Sequence, residues 1–224
     1  MARYNPSTII MSDDFEESLK GHTYTEFHQV FEHLSKQGNE TIQATLAVMY
    51  AGGIIVPKDE KEAARWWWIA ASQGDATAQF NLGLLYENGK RTSDFAEASV
   101  WYRLSAEQGN AEAQYKLGLM YEQGWGVEKD KTEAVRQYRR AAEQGHNVAK
   151  ISLTLLYSEG KEMPINFVQA YMWYLVAKSN LHEGNNKIRE DLEQGVNDIL
   201  KKMTPDQISE GQELAQDWIK QFQS

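Results

Sequence analysis

The sequence has no cysteine, which removes disulfides and thiolate chemistry together, and nothing in it needs an oxidising compartment. Proline is scarce, with four in 224 residues, so little in the chain interrupts helices. No apolar run is long enough to span a bilayer. The opening MARYNPSTIIMSDDFEE has one arginine and no apolar stretch of the length a signal peptide needs. Cytoplasm is therefore the expected compartment, with periplasm or secretion as the alternative if a leader has been removed. Positive charge is in deficit: 23 Lys and Arg stand against 32 Asp and Glu, a formal net charge of -9. Such a balance repels phosphate backbones and anionic lipid, so neither a nucleic-acid partner nor membrane insertion is expected.

Chemical motifs are missing as well. The sequence has no phosphate-cradling glycine loop, no zinc-ligand spacing and no nucleophile elbow. The five histidines are scattered, and His28 and His33 are five apart, outside the spacing of three or four that puts two ligands on one helix face. Most carboxylates fall at positions where a helix would start, where stabilising free backbone N–H groups is sufficient reason for them. The reading is a non-enzyme with no cofactor and no metal.

What is present is a repeat. Gln-Gly occurs at 37–38, 73–74, 108–109 and 144–145, at intervals of 36, 35 and 36 residues, and a tyrosine keeps the same register at Tyr50, Tyr86, Tyr121 and Tyr157. Periods of roughly 20 to 50 residues mark solenoids, whose units bury their apolar faces against their neighbours. In the unit AEAQYKLGLMYEQGWGVEKDKTEAVRQYRRAAEQG, Ala113, Leu117, Met120 and Tyr121 form the stripe of a first helix, A, that ends at Gly124. Gly118, and Gly83 before it, lie inside such stripes and point to close approach of a second helix. Helix B starts at Asp130, where Asp130 and Glu133 read as a capping box. The same device reads at Thr23 and Glu26, Asp59 and Glu62, Asp94 and Glu97, and Asn166 and Gln169. Ala134, Val135, Tyr138, Ala141 and Ala142 form the stripe of B.

These residues closely resemble the Sel-one-like repeat, a branch of the tetratricopeptide superfamily. The resemblance implies an all-α, right-handed α-α superhelix of helix-turn-helix repeats. The expected organisation is a flexible lead-in over 1–11, a truncated capping repeat over 12–38 with a short helix from Ser12 to Lys20, and four repeats at 39–74, 75–109, 110–145 and 146–181. A capping pair over 182–224 follows, with Thr204-Pro205-Asp206-Gln207 as a capping box and Pro205 at the first helical position. Departures from the family pattern fall in the loops. ENGKRTSDFAEA is one residue short, Ile54-Ile55 stands where Gly-Val is usual, and SEGKEMPINFVQA lacks the second glycine.

Two tryptophans stand out. Trp66 and Trp67 align with aromatic core positions of the other repeats, but Trp68 aligns with Arg103 and Arg139, which predicts a surface position. It is either a partner contact or packed under the apolar loop Ile54-Ile55-Val56. Trp125, between loop glycines, is either a contact residue or folded over its own repeat. Arg136, Arg139 and Arg140 share one face of a B helix and read as a solvated outer surface pairing with acids, or as a patch for an acidic partner.

The superfamily presents helix A on the concave side, so register assigns inner-surface residues: Thr77, Phe80, Leu84, Glu87 and Asn88, then Glu112, Tyr115, Leu119, Glu122 and Gln123. Phe80 and Tyr115 read equally as packing between adjacent A helices. The partner-binding set is thus Trp68, Trp125, Thr77, Phe80, Glu87, Asn88, Glu112, Tyr115, Glu122 and Gln123. The function this implies is a scaffold that binds a protein or peptide as adaptor or regulator. The resemblance also admits an immunity protein covering a toxin, which the acidic charge suits, and more remotely a cell-wall-related hydrolase or small-molecule binder.

Overall fold

The computed structural model describes residues 33–54, 56–89, 92–159, 164–179 and 186–222, together with Gln29 and Phe31. The lead-in over 1–11, the short helix from Ser12, the Thr23–Glu26 pair and His28 lie outside the described residues. The chain divides between Ala78 and Gln79 into two compact units.

Every regular element among the described residues is a helix, an all-α architecture of the α-α superhelix class. The first unit holds α1 (Glu40–Gly52) and α2 (Glu60–Ser72), and α3 (Ala76–Gly89) runs across the division. The second continues with α4 (Thr92–Glu107), α5 (Ala111–Gln123), α6 (Lys131–Glu143), α7 (Asn147–Glu159), α8 (Phe167–Ser179), α9 (Asn186–Leu200) and α10 (Pro205–Phe222). Odd-numbered helices up to α7 are the A helices; even-numbered ones up to α8 are the B helices.

Chain reversal in the first, third and fourth repeats follows from one hydrogen-bond scheme. Gly53 and Gly124 end α1 and α5 in the left-handed region, at φ of 65° and 76°, as the glycine stop predicts. The chain then returns so that the backbone N–H of Asp59, Asp130 and Asn166 donates to the carbonyl of Tyr50, Tyr121 and Tyr157 at 2.9–3.0 Å. Asp59, Asp130 and Asn166 in turn accept from the N–H groups of Glu62, Glu133 and Gln169 at 3.0–3.1 Å. The helix caps are therefore where the sequence puts them, but the reciprocal half of the capping box is absent at the first two. The tyrosine carbonyl has already taken the cap N–H, and Glu62 and Glu133 turn outward to Arg65 and Arg136. Among the described residues, Thr204 and Gln207 alone form both halves, at 2.9 and 3.3 Å.

The pair Asp94 and Glu97 is a correction. Helix α4 begins at Thr92, so Asp94 is buried inside the first turn rather than capping it. A connection shortened by one residue draws helical structure upstream. The A helices have caps of their own, in the residue after each Gln-Gly: the N–H groups of Ile42, Ala78, Ala113 and Ala149 donate to Asn39, Asp75, Asn110 and the Nδ1 of His146.

The core combines alanine with large aromatics. In the second unit Tyr102 and Tyr138 are fully buried beside Ala98, Ala106, Ala113, Ala134, Ala141 and Ala149. Gly83 and Gly118 are the close-approach positions, and the approaching group is a ring: a Cβ at either site would lie 2.6 Å from Tyr102 or Tyr138. Gly211 of α10 repeats the device against Tyr171 of α8, and Trp173 meets Trp218 edge-on at 5.5 Å, so the last helix packs on the fourth repeat. Trp66 and Trp67 are buried, as their register requires.

Candidate partner-binding face

The sequence register places Thr77, Phe80, Leu84, Glu87 and Asn88 of α3 in line with Glu112, Tyr115, Leu119, Glu122 and Gln123 of α5, and with Val148, Ile151, Leu155, Ser158 and Glu159 of α7. The structure sorts these by what they touch. Phe80 leans on Tyr102 at 5.8 Å and Tyr115 on Tyr138 at 5.6 Å, so both rings are partly committed to packing. Tyr115 also stacks on His146 at 4.5 Å. Burial raises the Tyr115 hydroxyl above the ordinary tyrosine range, so it is a donor at any physiological pH.

Glu87 and Glu122 are not free surface acids. Each accepts the hydroxyl of a buried tyrosine: Tyr102 donates to Glu87, and Tyr138 to Glu122 at 2.6 Å. Burial, then the adjoining carboxylate, pushes both tyrosines far above their usual range. A buried hydroxyl without a partner costs about 1–3 kcal/mol, which is reason enough for a glutamate at this register. The first repeat has Ala51 there, and its buried ring is Trp67, which carries no hydroxyl. Glu87 additionally holds Lys116 of the next A helix at 2.9 Å.

Glu112 lies 3.3 Å from Nε2 of His146. Because Nδ1 of that ring accepts the Ala149 N–H, the ring hydrogen belongs on Nε2 and donates to Glu112. This hydrogen bond holds the Glu112 carboxyl below the usual carboxylate range against the opposing effect of burial. Thr77, Asn88 and Gln123 are exposed.

The sequence reading stopped at α5 and so missed the apolar part of the face. Val148 and Leu155 of α7 are 49% and 52% exposed at the same register. Extending the period by one repeat was the signal that would have found them. Also missed was a glutamine ladder. Gln73, Gln108 and Gln144 of the Gln-Gly pairs donate to Gln43, Gln79 and Gln114 at 2.8 Å. Gln43 and Gln114 reach on to the carbonyls of Ser35 and Ala106. In the fourth repeat this register carries Lys150.

Trp68 is 55% exposed, which excludes burial beneath the Ile54–Val56 loop. Trp125 is 44% exposed but stacks on Phe95, at 5.7 Å and 25°. Phe95 belongs to α4, so Trp125 packs against the preceding repeat. The site list thus spans two units, and only the α3, α5 and α7 positions form a series in one register. The three arginines each have a partner: Arg136 pairs with Glu133, Arg139 donates to Tyr157 and Gln169, and Arg140 donates to the carbonyl of Ala106. The expected pairing with an acid is made by Arg136, whereas Arg139 and Arg140 take neutral acceptors. Among the described residues no group of three or more His, Cys, Asp or Glu could hold a metal ion, and no helix is long and apolar enough to cross a membrane.

Comparison with known proteins agrees with this architecture. The Sel1 repeat family matches residues 43–75, 76–110, 111–146 and 147–180. Among solved structures, c5321 aligns over 86% of this chain at 34% identity and a TM-score of 0.72. It is described as a protective antigen of uropathogenic Escherichia coli with an SLR fold. The chain spans only 40% of the length of that protein. A Sel1 repeat protein from Oxalobacter formigenes aligns over 70% of this chain and 69% of its own at 35% identity, with a TM-score of 0.61. No curated protein resembles the chain closely enough to count as a match.

Proposed function

The chain belongs to the Sel1 repeat family, and on that premise we propose that it is a non-catalytic scaffold that holds a protein or peptide partner against its A helices, as an adaptor or regulator in a complex. The observation that carries this reading is the half-exposed apolar pair Val148 and Leu155 on α7, at the registers where α5 presents Glu112 and Leu119. Apolar side chains left exposed together at one register of a repeat mark a contact surface more than a fold requirement. The neighbouring residues that the fold has already ordered, Glu87, Lys116, Glu112 and His146, lose little freedom on binding, so little ordering entropy opposes a partner.

The test is affinity capture from lysate of the native organism, followed by quantitative binding of whatever protein is retained. Wild type is compared with Leu155→Ser and with Trp68→Ala/Trp125→Ala, all of matched thermal stability. Loss of affinity by about tenfold or more in Leu155→Ser, with the tryptophan variant unchanged, is the expected result. Loss confined to the tryptophan variant would move the contact to those residues, and full affinity in both variants would remove the A-helix face from the reading.

A further inference from the structure

The repeat symmetry contains a mismatch in charge. Between the second and third repeats, the Glu87 carboxylate takes a tyrosine hydroxyl from Tyr102 and the ammonium of Lys116, whose Nζ lies 3.0 and 2.9 Å from its two oxygens. One repeat later the same constellation recurs as Glu122 and Tyr138. Here the register of Lys116 is filled by Ser152, whose hydroxyl engages Tyr115 and Tyr138. Among the described residues no lysine, arginine or histidine reaches Glu122. Among the described residues, then, one carboxylate–tyrosine site carries its cation and a second, equivalent site carries none.

We propose that Glu122 is the anchor for a lysine or arginine side chain of the partner, which takes the place that Lys116 occupies one repeat earlier. This rests on the reading of the A-helix face as the contact surface and specifies the chemistry of what binds there. Leu119, one turn before Glu122, and Leu155, at the register of Leu119 on α7, supply apolar surface beside the anchor, so the occupant is a basic amphipathic segment: a cationic side chain flanked by apolar ones. A half-buried carboxylate gains more from a cation than a fully hydrated one does, because less intervening water screens the pair. The net charge of -9 steers such a segment toward the protein.

The experiment uses the full chain, isotope-labelled for NMR, with a short acetylated and amidated peptide of alternating leucine and arginine as probe. The same peptide with citrulline for arginine keeps the shape and removes the charge. The arginine peptide is expected to shift the signals of Glu122, Ser152 and Leu155. Its affinity should fall about tenfold or more in Glu122→Gln, which keeps an acceptor for Tyr138, in Ser152→Lys, which fills the site internally, and for the citrulline peptide on wild type. Glu143→Gln, a charge-matched change at an exposed position of α6, should leave affinity unaltered. Equal affinity of wild type and Glu122→Gln for the arginine peptide overturns the anchor. If the citrulline peptide perturbs Leu119 and Leu155 as strongly as the arginine peptide, the anchor is overturned while the contact face stands. No shift on α5 or α7 with either peptide overturns both.

Discussion

Replacing Gly118 by alanine is expected to destabilise the protein by about 2–3 kcal/mol, although alanine is the better helix former by about 1 kcal/mol. Gly118 sits in the middle of α5, and a Cβ there would stand 2.6 Å from two ring carbons of Tyr138. The ring cannot step aside cheaply. It is fully buried among alanines, and its hydroxyl is fixed by Glu122 at 2.6 Å, so a shift that relieves the methyl group strands a buried hydroxyl. Adding Tyr138→Leu should remove most of the penalty, giving a coupling of about 1 kcal/mol or more in a double-mutant cycle measured by urea unfolding. Gly195→Ala is the contrast. That glycine lies exposed in α9 with nothing within 4 Å of a Cβ, so helix propensity acts alone and a gain of about 0.5–1 kcal/mol is expected. A neutral or stabilised Gly118→Ala variant would mean that the ring is not held as described.

Gly118 also shows what the sequence could and could not convey. Helical period, glycine stops and the polar residue opening α2, α6 and α8 were legible, because each expresses a local backbone requirement that recurs from repeat to repeat. Close approach at Gly118 was legible as a cost in need of a cause, but the cause, a tyrosine 20 residues on, depends on how two helices pack. The role of Glu87 and Glu122 was hidden for the same reason. By residue type they are surface acids, and only the packed structure brings a buried hydroxyl to each. The shift of α4 to Thr92 was signalled by the short loop, yet the capping pattern of Asp94 and Glu97 outweighed it in a reading made from residue types alone. The glutamine ladder was visible only as a register, since no local rule assigns a partner to a glutamine 30 residues from its mate.

Where that ladder ends, Lys150→Met is expected to stabilise the protein at neutral pH by about 1–3 kcal/mol, with a gain that shrinks as pH rises toward 10. Lys150 is fully buried at the position that holds glutamine in the three preceding repeats. No carboxylate compensates it among the described residues. Its ammonium lies over the Trp218 ring at 5.3 Å and at 3.5 Å from Oδ1 of Asn147, a contact at the limit of hydrogen bonding. The ring is worth about 2 kcal/mol to a desolvated cation, less than the several kcal/mol that desolvating an ammonium costs. Burial accordingly holds the Lys150 ammonium below the ordinary lysine range. The sign follows from proton counting. Between the lowered folded value and the unfolded value near 10.4, the unfolded chain binds a proton that the folded chain has lost, so wild-type stability rises with pH across that window. Methionine fills similar volume without the charge, and tyrosine titrations are common to both proteins and cancel in the difference. Urea unfolding of the pair at pH 7 and pH 9.5 measures it. A Met variant less stable than wild type at pH 7 would show that the contact with Trp218 outweighs desolvation, making the buried cation a fastener between α7 and α10.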